Sequence, residues 1–585
     1  MMRLAAAAAL FALAACGGRV EGPSVLLVTL DTTRADALGC YGGPAGNTPR
    51  LDRLAAEGVL FERAHAVAPV TMPSHASMLT GLYPLRHGVR GNDRWALADD
   101  AVTLAELARA RGIQTGAAVA AVVVGRAFGL AQGFDSYSEP PPPKGSGVVM
   151  YEQRPAGEVI DAAIAWLDAR DRARPFFLWV HLFDPHEPYA PPPEFRPAIP
   201  GERGLYHGEV AYADRELGRL LDHLDTDGAR DATYVLVAGD HGEGLGDHGE
   251  LTHGALCREP TLRVPLLLRY PDGRRAGERV RSLASGVDVF PTLVEALGLP
   301  ERPGIDGRSL LGGEETPGRG LYFECYESHI AFGYSHAAGW MDERGKYIHG
   351  STPQFFDLAR DPGETRNLAA ERGDVIADFA REINALAAAR TLAPASSTAP
   401  DAATVESLRK LGYASVGPRQ PRFLPPLARS ARPIAEEVIA HHTRLVAGID
   451  LFHARRFAEA EKAIAAELEA MPWSPAGLLY LSQALIGQGK HAEAIPILER
   501  FLAGSPQMAF MLYHLGNCLA QTGRREEAVA PLREAVRLEA GSKEYYPLLI
   551  RLLRDLGRWE EAKPLAEAYE QLRLRSSGGA RAVER

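Results

Sequence analysis

The sequence predicts an α/β domain over residues 23–388 and an all-α repeat domain over residues 434–572, joined by a linker over residues 389–433. Three observations support this division. Continuous apolar runs, typical of buried parallel strands, occupy residues 24–30, 176–180 and 233–238. Helical patterns alternate with them, as at residues 48–57, 101–111 and 157–168. A sequence motif then recurs with a constant period near the C-terminus.

The composition fits a soluble protein of more than one domain. The chain has 585 residues, of which 46% are hydrophobic and 24% charged, as in ordinary globular proteins. Its formal net charge of −10 gives no electrostatic basis for binding nucleic acid, so we expect no such partner.

The first sixteen residues read as a targeting segment. Arg3 precedes an apolar stretch over residues 4–15, which is too short to span a bilayer. Leu13-Ala14-Ala15-Cys16 resembles a bacterial lipobox, which predicts lipidation of Cys16 and export to the cell envelope, anchored on the periplasmic side of the membrane. An ordinary signal peptide is the alternative. Export permits disulfides, so the four other cysteines are expected to be buried free thiols or to include one bridge: Cys40, Cys257, Cys325 and Cys518.

The repeat motif has a period of 34 residues. It begins at Phe457, His491, Arg525 and Trp559, and each copy ends in alanine three residues later. Glycines and prolines keep the same period: Gly489, Gly523 and Gly557, and Pro472 and Pro506. This spacing is the signature of tetratricopeptide repeats, whose alanines let the paired helices pack closely. We expect the concave face to bind a protein or peptide; a stacking domain without a ligand is the alternative.

Three separate segments carry side chains that suit one divalent cation. Asp31 follows the first predicted strand, and Asp240-His241 follow the strand over residues 233–238. In open α/β sheets, ligands collect at these carboxyl ends. With the Thr71 hydroxyl, the set of oxygen and imidazole ligands suits zinc, manganese or calcium. One cation is expected and a second is open. Taken singly, these residues could instead be helix caps or turn residues.

Several motifs together resemble the sulfatase family of the alkaline phosphatase superfamily. The segments that carry the resemblance are Thr71-Met-Pro-Ser-His75 with Leu79-Thr-Gly81, Leu30-Asp-Thr-Thr-Arg-Ala-Asp36, His186-Glu-Pro-Tyr189, Gly239-Asp-His-Gly-Glu243 and Phe356-Asp-Leu358. The resemblance covers roughly residues 24–375. It implies a large mixed sheet between helical layers, followed by a small C-terminal subdomain. It also implies a metal site made by Asp31, Thr71, Asp240 and His241.

The departures from the family pattern decide the predicted chemistry. Where this chain has Thr71, sulfatases have a cysteine that is oxidised to formylglycine. Where it has His75, they have an arginine. They have paired aspartates where this chain has Asp31-Thr32, and a lysine that residues 123–128 lack. A threonine cannot become formylglycine. The set Asp31, Thr71, Asp240 and His241 also resembles lipoteichoic acid synthase-like phosphotransferases and nucleotide phosphodiesterases, which use an unmodified threonine.

The sequence therefore predicts a metal-dependent ester hydrolase in which Thr71 is both nucleophile and metal ligand. His186 and His253 are the candidates for protonating the leaving group or contacting the substrate oxyanion, and His75 for touching the anion. A threonine ester must be cleaved by direct attack on phosphorus or sulfur, which favours a phosphate over a sulfate ester. The alternative is a catalytically degenerate scaffold in which the repeats carry the function.

Overall fold

The computed structural model describes residues 21–92, 95–140, 154–197, 201–312, 318–392 and 423–580. These residues form two compact units. The first holds residues 21–328, 335–392 and 424–436, and the second is built mainly from residues 329–334 and 437–580. Residues 424–436, placed in the linker from sequence, thus belong to the first unit. The targeting segment and Cys16 lie outside the described residues, as does most of the predicted linker.

The first unit is organised around a mixed sheet of eight described strands, in the order β4-β3-β5-β1-β6-β7-β2-β8. In chain order they are β1 (Ser24–Leu30), β2 (Val59–His65), β3 (Gln114–Val119), β4 (Ser136–Ser138), β5 (Phe176–Leu182), β6 (Thr233–Gly239), β7 (Leu266–Arg269) and β8 (Glu278–Ser285). Every residue of β1, β5 and β6 is buried, and β1 runs parallel to both neighbours. The prediction of buried parallel strands is confirmed.

Helices cover this sheet and connect its strands. They are α1 (Pro49–Glu57), α2 (Thr71–Thr80), α3 (Pro84–His87), α4 (Leu104–Ala110), α5 (Ala156–Ala169), α6 (Glu202–Thr226), α7 (Glu259–Leu262) and α8 (Val289–Ala296). The next helix, α9 (Glu327–Phe332), begins in the first unit and ends in residues assigned to the second. The helix predicted from residue 101 begins at Leu104, because Thr103 and Glu106 form a capping box.

A smaller antiparallel sheet follows, in the order β12-β11-β10-β9. Its strands are β9 (Leu321–Cys325), β10 (Ala337–Asp342), β11 (Gly345–His349) and β12 (Gln354–Phe356), and α10 (Gly373–Ala387) packs against it. Its core includes Tyr322, Phe355, Phe379 and Ile383. This is the small C-terminal subdomain that the sequence predicts.

The second unit is a run of antiparallel helix pairs. Its helices are α11 (Ile439–His453), α12 (Phe457–Ala470), α13 (Pro475–Gly487), α14 (His491–Gly504), α15 (Ala509–Gln521), α16 (Arg525–Leu538), α17 (Tyr546–Asp555) and α18 (Trp559–Ala580). The periodic glycines take left-handed backbone angles between paired helices, with φ of +75° at Gly489, +83° at Gly523 and +74° at Gly557. The repeat fold is confirmed.

None of the described helices is both long enough and apolar enough to cross a membrane. The four cysteines outside the targeting segment are free thiols; Cys257, Cys325 and Cys518 are buried and Cys40 is half-buried.

Candidate active site

The three predicted segments meet at the carboxyl ends of two central strands of the large sheet. β1 and β6 pair in parallel with Leu30 opposite Gly239, so the next residues, Asp31 and Asp240, emerge side by side. Thr71 is the first residue of α2. The side chains of Asp31, Thr71, Asp240 and His241 are all fully buried. The predicted convergence of these residues is therefore present in the fold.

Hydrogen bonds to the two carboxylates leave one oxygen of each without a partner. His181 Nδ1 accepts from the Ala120 amide at 3.4 Å, so its Nε2 carries the proton and donates to Asp31 Oδ2 at 3.2 Å. Asp240 Oδ1 accepts from the His241 amide at 2.7 Å. Asp31 Oδ1 and Asp240 Oδ2 have no hydrogen-bond partner among the described residues, although both are buried.

His241 adds an imidazole nitrogen to this group. Its Nδ1 donates to the Gly242 carbonyl at 2.9 Å, so Nε2 is unprotonated and accepts from the Thr71 hydroxyl at 3.3 Å. Nε2 also lies 3.8 Å from Asp31 Oδ1 and 3.7 Å from Asp240 Oδ2. One ligand atom from each of Asp31, Asp240 and His241 falls within 4.8 Å of the others. Two unpartnered carboxylate oxygens and this nitrogen, which the Thr71 hydroxyl contacts, form a candidate site for a cation.

The charges of this cluster lead to the same conclusion. Burial raises the pKa of Asp31 to about 8 and raises the pKa of Asp240 well above its usual range. The two carboxylates therefore need a neighbouring positive charge to be ionised together at neutral pH. A divalent cation held by two carboxylate oxygens, an imidazole and the hydroxyl would supply it.

A second group of potential ligands, His75, His181 and Asp240, lies next to the first. The lone pairs of its imidazoles are engaged within the domain, because His181 Nδ1 accepts from the Ala120 amide and His75 Nε2 lies 3.0 Å from the Thr29 hydroxyl. His75 Nδ1 donates to the Thr71 carbonyl at 2.8 Å, and its side chain is fully buried. His75 therefore lies behind Thr71 with both ring nitrogens hydrogen-bonded, and its contact with the anion stays a prediction, as does the number of cations.

His253 and His186 lie over the cluster, and their hydrogen bonds give them different roles. His253 Nδ1 is 3.3 Å from Glu243 Oε1. Burial lowers the pKa of His253, but the carboxylates of Glu243, Asp31 and Asp240 together raise it overall. His186 Nδ1 donates to the Glu187 carbonyl at 2.6 Å, and burial lowers its pKa to about 3. His253 is therefore suited to donate a proton, whereas neutral His186 presents an acceptor at Nε2.

Sequence reasoning missed three residues of this site: His181, Glu243 and Asn92. His181 is an ionisable residue in an otherwise apolar, buried strand, and this position could have indicated a functional role. Glu243 belongs to the quoted motif, but the sequence assigned it no role. Asn92 accepts the Met72 amide at Oδ1 over 2.7 Å, while its Nδ2 has no acceptor among the described residues.

Few backbone amides at the N-terminus of α2 are free to bind an anion. The Met72 amide already donates to Asn92, and the Ser74 amide donates to the Val70 carbonyl at 3.4 Å. Pro73 has no amide proton. Asn92 is a better candidate for contacting an anion. Its Oδ1 accepts the amide of Met72, next to Thr71, and its Nδ2 has no acceptor among the described residues.

Comparisons with known families now decide the assignment. The family model described as Sulfatase matches residues 23–299. The model described as N-sulphoglucosamine sulphohydrolase, C-terminal, matches residues 246–389, and the one described as Tetratricopeptide repeat matches residues 445–509 and 481–543. The chain joins a sulfatase-family domain to tetratricopeptide repeats.

Individual relatives agree with this assignment. The chain is 26% identical to the uncharacterized sulfatase YidJ of Escherichia coli, over 60% of this chain and 83% of that protein. It is 27% identical to the human N-acetylgalactosamine-6-sulfatase, over 59% of this chain and 81% of that protein. Among solved structures, the phosphonate monoester hydrolase of Agrobacterium radiobacter superposes with a TM-score of 0.54 at 25% identity, covering 62% of this chain and 95% of the other.

The sulfatase domain is therefore similar to enzymes named for both sulfate and phosphonate esters. It belongs to the sulfatase/alkaline phosphatase superfamily of hydrolases, and it has Thr71 where the sulfatase signature has cysteine.

Proposed function

We propose that the sulfatase domain hydrolyses a phosphate or sulfate ester with one divalent cation and with unmodified Thr71 as the nucleophile. The observation that carries this proposal is the buried cluster of two unpartnered carboxylate oxygens, Asp31 Oδ1 and Asp240 Oδ2, beside His241 Nε2, which the Thr71 hydroxyl contacts at 3.3 Å. A structural site would satisfy these acceptors within the protein, because unpaired buried polar atoms are costly.

In the first step, the Thr71 hydroxyl loses its proton to solvent and Oγ1 attacks phosphorus or sulfur, while the bond to the ester oxygen breaks. A cation bound by Asp31, Asp240 and His241 would lower the pKa of the Thr71 hydroxyl and offset the charge of the substrate. His253 delivers a proton to the leaving oxygen, and Glu243 holds the imidazole through Nδ1. Asn92 Nδ2 is a donor for a substrate oxygen beside Thr71.

In the second step, water attacks phosphorus or sulfur of the Thr71 ester, the bond to Oγ1 breaks, and Oγ1 takes a proton from solvent to restore the hydroxyl. The direct attack is required because a threonine ester has no carbonyl that could re-form to expel the group. His253, now neutral, accepts a proton from the attacking water. Because phosphoryl groups undergo such displacement readily with charge stabilisation, a phosphoester is the favoured substrate class.

Divalent cations should stabilise the protein through this cluster. At a cation concentration about 100 times the dissociation constant, we expect the free energy of unfolding to rise by about 2.7 kcal/mol. Thermal unfolding with zinc, manganese or calcium after chelator treatment measures it. The Asp240→Asn variant should lose this response. A wild-type protein that neither binds nor responds to any of the three cations would contradict the proposed site.

The fall in kcat/KM on replacing His253 should depend on the leaving group of the ester. For an alkyl ester, whose alkoxide needs a proton, His253→Gln should reduce kcat/KM by about 10²–10⁴-fold. For a nitrophenyl ester, whose leaving group is stable as an anion, the loss should be about tenfold or less. Steady-state kinetics on the two ester types measures the contrast.

The matched control is His223→Gln on α6, where the imidazole lies 3.3 Å from Asp168 and outside the active site. It should leave both activities unchanged. Glu243→Gln should show the same leaving-group contrast as His253→Gln, because it acts through that imidazole. If His253→Gln lowers kcat/KM equally for both ester types, His253 is not the proton donor to the leaving group.

We further propose that the repeat domain binds a protein or peptide partner and that Cys16 anchors the chain to the bacterial envelope. Tetratricopeptide repeats generally mediate protein interactions, which supports the first statement. The second rests on the residues around Cys16 alone.

A further inference from the structure

Two surface cavities lie next to each other on the sulfatase domain. Their volumes are about 410 Å³ and about 360 Å³, and they share the lining residues Glu259, Arg263 and Pro362. The first is also lined by Arg34 and the second by Arg63. None of the candidate cation ligands lines either cavity. Together they form one continuous groove, which we call the junction groove.

Most of the carboxylates in the junction groove lie in ion pairs with neighbouring cations. Asp36 and Asp247 share Arg34, each at 2.7 Å, and Asp247 also pairs with Arg203 at 3.0 Å. Asp342 lies 2.8 Å from Arg344, and Glu259 lies 3.1 Å from Lys346, which it shares with Glu364. Each of these carboxylates thus has a cationic partner other than Arg63 and Arg263.

Two guanidinium groups in the junction groove are not neutralised in this way. Arg63 and Arg263 form no ion pair among the described residues, and Arg263 gives one hydrogen bond, to the Glu62 carbonyl at 3.1 Å. A guanidinium has five donors, so most of them are uncommitted. Glu343 is the single lining carboxylate without an ion pair in the described part of the chain, and it is exposed.

We propose that the junction groove binds a polyanionic polymer through tetrahedral oxyanions, sulfate or phosphate, held by Arg63 and Arg263. The planar fork of a guanidinium matches two oxygens of such an anion. A groove of this size has room for more than one such group. Its wall also joins the active-site loop, because Arg34 donates to the Glu243 carbonyl at 3.2 Å. This site lies beyond the proposed hydrolysis and does not depend on turnover.

The test is binding of two polymers, dextran sulfate and polyphosphate, to the full chain at fixed ionic strength. In the double variant Arg63→Gln/Arg263→Gln, affinity for at least one polymer should fall about tenfold or more. The polymer that loses more identifies which oxyanion the groove takes. Arg63→Lys/Arg263→Lys, which keeps the charge and loses the fork, should bind with intermediate affinity.

The matched control is Arg281→Gln on β8, whose side chain is 82% exposed and pairs with Glu62 at 3.4 Å. It removes one positive charge near the groove without lining it, so its affinity should stay within about twofold of wild type. Unchanged binding of both polymers by the double variant, or an equal loss in Arg281→Gln, would overturn the proposal.

The outcome can be separated from that of the proposed hydrolysis. Binding measured in a Thr71→Ala background should show the same dependence on Arg63 and Arg263. Turnover of a small aryl ester should be the same in the double variant as in wild type, because neither arginine touches the cluster. If Thr71 proves not to be the nucleophile, the conclusion on polymer binding is unaffected. If the polymers do not bind, the conclusion on Thr71 is likewise unaffected.

Discussion

Replacing Thr71 by alanine is expected to abolish ester hydrolysis, with a fall in kcat of at least about 10³-fold. The hydroxyl is the proposed nucleophile, and its Oγ1 lies 3.3 Å from His241 Nε2 in the candidate cation cluster. Removing it leaves no nucleophile at that point. Turnover of aryl phosphate, phosphodiester and sulfate esters measures the loss.

Two variants make this result specific. Thr71→Val keeps the branched shape in a fully buried position and should be as inactive as alanine while it remains folded. Thr71→Ser keeps the hydroxyl and should retain substantial activity. Wild-type activity in Thr71→Ala would show that another group attacks. A wild-type protein without activity on any of the three ester classes would instead favour the degenerate-scaffold alternative.

The second large effect concerns stability rather than chemistry. Lys346 on β11 is fully buried, and its Nζ lies 3.1 Å from Glu259 and 2.9 Å from Glu364. Lys346→Met should reduce the free energy of unfolding by about 3–5 kcal/mol, because it leaves two carboxylates without their cation. Urea unfolding of the full chain measures it. Arg360→Met, whose side chain is 83% exposed, is the control and should change stability by less than about 0.5 kcal/mol.

The cost of Lys346→Met should depend on pH. Burial alone would raise the pKa of Glu259, but Lys346 and His65 lower it below its usual range. A depressed carboxyl pKa stabilises the fold above the ordinary value of about 4.3, and this contribution is lost as the pH falls. The difference between wild type and variant should therefore be largest at neutral pH and shrink below about pH 4. A difference that does not change with pH would show that the loss comes from packing.

The outline of the active site was predictable because its ligands follow strands that can be recognised. Asp31 and Asp240 each come directly after an apolar run, and parallel pairing places such positions together. His75 shows where this reasoning stops. Its spacing from Thr71 predicts the same helical face, but the spacing does not tell whether that face points to substrate or into the domain. The structure turns it inward, toward Thr29 and the Thr71 carbonyl.

Hydrogen-bond direction could not be predicted either. His186 and His253 had equal standing as proton donors in the sequence. The Glu187 carbonyl makes one of them a neutral acceptor, and the Glu243 carboxylate makes the other a proton carrier. These partners are fixed by the folding of two separate loops, so no local pattern distinguishes the two histidines.

The sequence by itself determined the two domains, the parallel strands and the repeat period, and it predicted threonine as the nucleophile. These follow from periodicity and from the identity of single residues, which are local properties of a chain. Only the tertiary structure decided which lone pairs remain unshared, which histidine carries a proton and where two arginines lie without counter-charges. Those properties depend on contacts between residues far apart in sequence, and such contacts exist only after the segments have packed.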